Sequence, residues 1–130
     1  MSQIKRYTLS RYGANLLRVN ATVGSAYKRD CQRVSLLVDT GASYTILPAR
    51  VLEDLQYDMK NSTRYQSIIT GQGITAPLPV IRVSWFNCLG QFFDDFDVIA
   101  YQLPNRLQVS SLLGMDFLTR CQAVISVARG

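Results

Sequence analysis

Polar and apolar positions alternate over residues 18–23, which places Val19, Ala21 and Val23 on one face and predicts a half-buried strand. After a polar turn at 24–32, a second apolar run over 33–38 predicts another strand, so the two form a hairpin. Residues 44–47 read as a strand that Pro48 stops. Residues 48–55 then fit a short helical turn with Val51, Leu52 and Leu55 facing inward. Runs at 66–70 and 74–83 flank Gly71-Gln72-Gly73, the pattern of two strands joined by a glycine-bearing tip. Pro77 and Pro79 cannot donate ladder hydrogen bonds, so the second of these strands should lie at an edge or leave the sheet there. Further strands are expected at 84–88 and 92–100 around Leu89-Gly90-Gln91. A short helix over 116–120, with Asp116 at its N-terminus, precedes a last strand at 123–127. Helical periodicity is weak elsewhere and no internal repeat occurs. The expected class is all-β, mainly β, with one short C-terminal helix.

Composition narrows the picture. At 130 residues and 48% hydrophobic, the chain has the size of one domain and the means to bury a core without disulfides or metal. No apolar run approaches the roughly 20 residues of a membrane span, and Met1-Ser2-Gln3-Ile4-Lys5-Arg6 lacks the apolar core of a secretory signal. The expectation is a cytoplasmic protein without a membrane partner. Cys31, Cys88 and Cys121 are odd in number and widely spaced, as reduced, packed thiols would be.

Histidine is absent, which removes Ser-His-Asp and Cys-His catalysis and the common zinc sites. No metal or cofactor is expected, and Ser43 has no histidine to activate it. The net charge of +5 is concentrated: seven basic side chains against Asp30 alone occupy the first 33 residues, and the remainder carries seven basic and eight acidic groups. A solvated N-terminal segment accounts for this, and nucleic acid is not the expected partner.

The remaining chemistry belongs to carboxylates. Two carboxylates about 3 Å apart share one proton, so one takes a proton from water while the other protonates a substrate carbonyl oxygen. Such a group needs a fixed position, and the apolar run Val34-Ser35-Leu36-Leu37-Val38 ends directly on Asp39. Gly41 lets the backbone turn sharply and brings its amide toward the carboxylate, and Thr40 offers a hydroxyl to an opposing loop. Asp-Thr-Gly alone is a weak signal. Its context is stronger, with Ala42-Ser43 and Ile46-Leu47-Pro48 after it and Leu112-Leu113-Gly114-Met115-Asp116-Phe117-Leu118 far downstream.

On these motifs the sequence resembles the retropepsin-like aspartic peptidases, the single-lobe, retroviral-type family, over roughly residues 19–127. The resemblance implies a closed, orthogonal β-barrel-like fold that works as a homodimer. It implies a domain over 18–130 preceded by an arm or edge strand over 1–17. It makes Asp39 the catalytic carboxylate, Thr40 the inter-loop brace, and Gly41, Ala42 and Ser43 the rest of the active-site loop. Gly41 and Ala42 would line the substrate backbone, while Leu113 and Gly114 pack behind the loop. The hairpin tip Thr70, Gly71, Gln72 and Gly73 would be a flap over the substrate, and Ile125 and Val127 would lie in the dimer interface.

No second Asp-Thr-Gly or Asp-Ser-Gly occurs, and Asp94, Asp95, Asp97 and Asp116 read as surface groups, turn residues or a cap. The partner carboxylate is therefore expected from a second copy across a two-fold axis. The expected function is aspartic endopeptidase activity on extended protein or peptide substrates. The alternative is a catalytically inactive dimerisation or peptide-binding module of the same fold. A serine or threonine at 42 would hydrogen-bond an ionised Asp39, whereas Ala42 cannot, so the expected activity optimum is less acidic than that of an Ala42→Ser variant.

Overall fold

A computed structural model describes residues 10–12, 16–70, 73–103 and 111–125. In chain order the elements are β1 (Ser10–Tyr12), β2 (Leu16–Gly24), β3 (Cys31–Val38), β4 (Ile46–Leu47), α1 (Ala49–Asp54), β5 (Tyr65–Gln66), β6 (Ile69–Thr70), β7 (Gly73–Ile74), β8 (Leu78–Cys88), β9 (Gln91–Ala100), β10 (Leu112–Leu113) and α2 (Met115–Arg120). The fold is mainly β with a short C-terminal helix, as the hydrophobic pattern predicts.

The alternation along β2 fits its position. Val19, Ala21 and Val23 are buried, and the strand pairs antiparallel with β3, Val19 opposite Leu36 and Gly24 opposite Cys31. The other edge of β2 pairs with β8, where Ala21 meets Cys88 and Val23 meets Phe86. Hydrogen bonding therefore runs β2-β3-β10-β4-β9-β8 and returns to β2, and β1 and β5 lie outside this ring. With strands on both sides, the middle of β2 has no free edge.

Several boundaries differ from the sequence expectation, each for a local reason. Residues 44–47 shorten to Ile46–Leu47, because the backbone and side chain of Thr45 are bonded to Asp116. The two strands expected at 74–83 and 84–88 are replaced by β8, which starts only at Leu78 and then continues through Ser84, a buried residue whose hydroxyl donates to the Ser25 carbonyl at 2.7 Å. The chain is out of the sheet at Pro77, and Pro79 sits opposite Tyr65 of the edge strand β5. Leu89 and Gly90 both have positive φ, 52° and 71°, and form the tight β8–β9 turn. Residues 123–125 are not a strand; the rest of the predicted last strand, with Val127, lies outside the described residues. So does most of the expected arm, although Ser10–Tyr12 pairs antiparallel with the start of β2.

The core fills the ring with Val23, Leu36, Leu47, Leu52, Val83, Phe86, Val98 and Leu113. Phe117 of α2 enters it edge-on to Phe86 and Phe93, at centroid distances of 5.6 and 5.4 Å. Arg120, one helical turn further, lies 4.2 Å over the Phe93 ring. Helix α2 is too short to be stable alone; these contacts hold it against the barrel.

Candidate active site

The two-residue strand β10 is inserted between β3 and β4. It runs parallel to β3, with Leu113 beside Val38, and antiparallel to β4, with Leu112 beside Ile46. Residues 39–45, which join β3 to β4, must therefore cross the end of β10. This crossing places Asp39 immediately beyond the last β3–β10 pair.

The backbone of the crossing loop is tied down on both sides. Asp39 N–H donates to the Leu113 carbonyl at 3.0 Å, Met115 N–H to the Ala42 carbonyl at 2.8 Å, and Asp116 N–H to the Ser43 carbonyl at 3.2 Å. Within the loop, Ala42 N–H donates to the Asp39 carbonyl at 3.1 Å. Gly41 N–H donates to Asp39 Oδ1 at 2.9 Å, and a β-carbon at Gly41 would sit 3.2 Å from that same oxygen. Glycine thus lets the peptide approach the carboxylate closely. Asp39 is half-buried; Thr40, Gly41 and Ser43 are exposed and Ala42 is half-buried. Among the described residues the Asp39 carboxylate accepts one hydrogen bond, from Gly41 N–H to Oδ1.

Gly114 explains how tightly the loop sits. A β-carbon there would lie 2.4 Å from the carbonyl oxygen of Tyr44 and 2.9 Å from its nitrogen, so only glycine allows this backbone contact. Leu113 is fully buried beneath it.

Asp116 does more than the surface or capping role expected of it. Its Oδ2 accepts from Thr45 N–H at 2.9 Å and its Oδ1 from the Thr45 hydroxyl at 2.8 Å, while the Thr45 oxygen accepts from Gly114 N–H at 3.2 Å. Phe117 N–H also donates to Oδ1, at 2.7 Å. Burial pushes the Asp116 carboxyl above its ordinary value, against the opposing pull of the Thr45 and Phe117 bonds. No local pattern signals this pair, because the two residues are 71 positions apart.

An open recess of about 420 Å³ adjoins the loop, lined by Thr40, Met115, Leu118, Thr119, Gln122, Ala123 and Ile125. Among the described residues the two strands of the β6–β7 hairpin pair with each other, Ile69 opposite Ile74, and expose these two side chains at 83% and 74%. Thr70 and Gly73 flank its tip; Gly71 and Gln72 lie outside the described residues. Burial pushes the Cys88 thiol up to about 12, so it is no nucleophile near neutral pH. Among the described residues no group of three or more potential metal ligands is gathered, and no helix is long and apolar enough to cross a membrane.

The chain resembles proteins of known structure. A retropepsin-like aspartic protease from Rickettsia conorii superposes with a TM-score of 0.69 at 22% identity, covering 95% of this chain and 85% of that one. The retroviral protease-like domain of Ddi1 from Leishmania major gives 0.55 at 22% identity, covering 88% and 84%. These likenesses show the fold. No curated protein matches the sequence. The family model described as "gag-polyprotein putative aspartyl protease" matches residues 28–120, a span that holds the whole Asp39 loop, β10 and α2. The chain therefore belongs to the gag-polyprotein aspartyl protease family.

Proposed function

We propose that this chain is one subunit of a homodimeric aspartic endopeptidase in which the Asp39 carboxylates of two copies form the reactive pair. The observation that carries the reading is the setting of Asp39. Its carboxylate stands at the end of a ring strand, its peptide is bonded to Leu113, one oxygen is oriented by Gly41, and the other accepts no hydrogen bond from the described residues. A single carboxylate cannot act as base and acid at once. With the second supplied by another copy, the pair holds one proton, the ionised member takes a proton from water, and the other protonates the scissile carbonyl.

The surroundings fit this role. Thr40 and the recess beside it offer a partly apolar surface next to the proposed two-fold axis. The exposed Ile69 and Ile74 of the β6–β7 hairpin, read as the flap, offer apolar cover for an extended polypeptide. The family membership supports protease chemistry in general.

The test is cleavage of an unstructured protein by wild type and Asp39→Asn from about pH 2 to pH 7, a range that brackets the titration of carboxylate pairs sharing one proton, with the oligomeric state measured by sedimentation. The proposal expects cleavage by wild type, activity per chain that rises with protein concentration, and a folded, dimeric, inactive Asp39→Asn. Undiminished cleavage by that variant removes Asp39 from the mechanism. A dimer that binds peptide and cleaves nothing is the inactive binding module instead.

A further inference from the structure

We infer that Asp116 is a positioning residue for the reactive loop, a buried strut whose side chain sets the geometry of Asp39 through Thr45. The inference rests on the reading of Asp39 as the reactive carboxylate. Residues 39–45 join two strands that are not neighbours, so nothing in the β3 or β4 ladder fixes the loop's path. Among the described residues all but one of its anchors come from one short segment: the Leu113 carbonyl, the amides of Gly114, Met115 and Asp116, and the Asp116 carboxylate; the exception is the Thr45 carbonyl, which accepts from Ile99 N–H at 2.9 Å. The carboxylate is the one side-chain anchor among them, and it takes both donors of Thr45 at 2.9 and 2.8 Å.

The cost of this arrangement argues for a purpose. Burying a carboxylate is unfavourable unless every lone pair is used, and among the described residues the donors are all neutral: Thr45 N–H and O–H, and Phe117 N–H. Helix α2 gains little from it, since its N-cap position is Gly114 and the helix has only six residues. What the carboxylate gains is a rigid Thr45, and through the Ala42 and Ser43 carbonyls bonded to Met115 and Asp116, a fixed floor under Asp39. A misplacement of about 1 Å in a reacting group can cost on the order of a hundredfold in rate, even when the change lies outside the chemistry.

The experiment compares Asp116→Ala, Asp116→Asn and Thr45→Val with wild type at concentrations where activity per chain no longer rises. Asp116→Ala is expected to lower kcat at least about tenfold with KM within about twofold, as loss of positioning requires. Asp116→Asn recovers a substantial part of the loss, because the amide oxygen still accepts from Thr45 N–H and its NH2 donates to the hydroxyl, although Phe117 N–H, which shares Oδ1 with that hydroxyl, loses its acceptor. Adding Thr45→Val to Asp116→Ala changes little more, since the two act as a unit. An unchanged kcat in folded Asp116→Ala overturns the inference, and so does an Asp116→Asn variant as impaired as the alanine. Amide hydrogen exchange gives a readout independent of cleavage: Thr45 N–H should exchange at least about tenfold faster in Asp116→Ala while Val83 is unaffected. Wild-type exchange at Thr45 in that variant also overturns the inference. Faster exchange at Thr45 alongside a wild type that cleaves nothing refutes the assignment of Asp39 and leaves the strut standing.

Discussion

The amide of Asp39 donates to the carbonyl of Leu113 at 3.0 Å, so the peptide that carries the proposed reactive carboxylate is held by a strand from the far end of the chain. The next residue, Gly114, lies against the Tyr44 backbone, and the loop has no room to retreat.

Gly114→Ala should therefore be costly. Its β-carbon would meet Tyr44 backbone atoms at 2.4 to 2.9 Å, and backbone cannot swing aside as a side chain can. Overpacking of this kind typically costs about 1–3 kcal/mol. The expected result is a melting temperature lowered by several degrees and a fall in cleavage larger than the lost stability explains, because the displaced segment is the one bonded to Asp39. Denaturation and kinetics on the same preparation check both.

Tyr57→Phe probes the other end of the barrel. The Tyr57 hydroxyl donates to the Gly24 carbonyl at 2.6 Å and accepts from Ser84 N–H at 2.8 Å. Removing it leaves a donor in the buried part of β8 without its partner, a loss of about 1–3 kcal/mol. Equilibrium unfolding should register that loss, while cleavage at temperatures well below the transition stays near wild type.

Much of this architecture is legible in the sequence. The alternation of Val19, Ala21 and Val23 marks β2, and the apolar run into Asp39 marks β3, because each strand has one buried face and a two-residue period reports it. Closure of the ring is not legible, since the Val23–Phe86 pairing depends on how two distant strands meet. The continuity of β8 through Ser84 is not legible either, since the hydroxyl that lets Ser84 be buried is satisfied by the distant Ser25 carbonyl. Asp116 reads as a cap for the same kind of reason: its partner Thr45 is brought to it only by the insertion of β10 between β3 and β4.

Asp97 of β9 ties Arg64, which precedes β5, to Arg82 of β8. It meets Arg64 at 2.7 Å and Arg82 at 3.0 Å. Burial opposes its ionisation, but hydrogen bonds from Arg82 and Arg64 outweigh that and hold the carboxyl below its ordinary value of 3.8. A depressed carboxyl stabilises the fold above the unfolded value, and the benefit is lost as pH falls through the folded one. Asp97→Asn should thus be less stable than wild type from neutral pH down to about 4, with the gap closing below that. Both arginines are well exposed, so the gap should be no more than about 1 kcal/mol and should shrink in salt.

Asp116 predicts the opposite slope. Burial raises its carboxyl above the ordinary value of 3.8, so the folded state holds the proton more tightly than the unfolded chain, and stability is lost as pH rises through the folded value. Asp116→Asn removes that titration. Whatever the offset between the two proteins at acid pH, the stability of Asp116→Asn relative to wild type should increase as pH is raised from the acid range toward 7. A flat or falling difference across chemical denaturation curves would contradict the buried anion.

Ala42→Ser tests the reactive loop without disturbing its frame. Residue 42 follows Gly41 in the loop, is half-buried, and already has its N–H on the Asp39 carbonyl and its carbonyl on Met115 N–H. The backbone bonds do not depend on the side chain, so serine should be accommodated with little change in stability. Its hydroxyl can donate to the ionised form of Asp39, favouring charge on the pair. The state with one shared proton then persists to lower pH, and the optimum of kcat/KM should move toward acid relative to wild type. An optimum that moves upward, or stays where it was, means the residue 42 side chain does not reach the Asp39 carboxylate in the active protein.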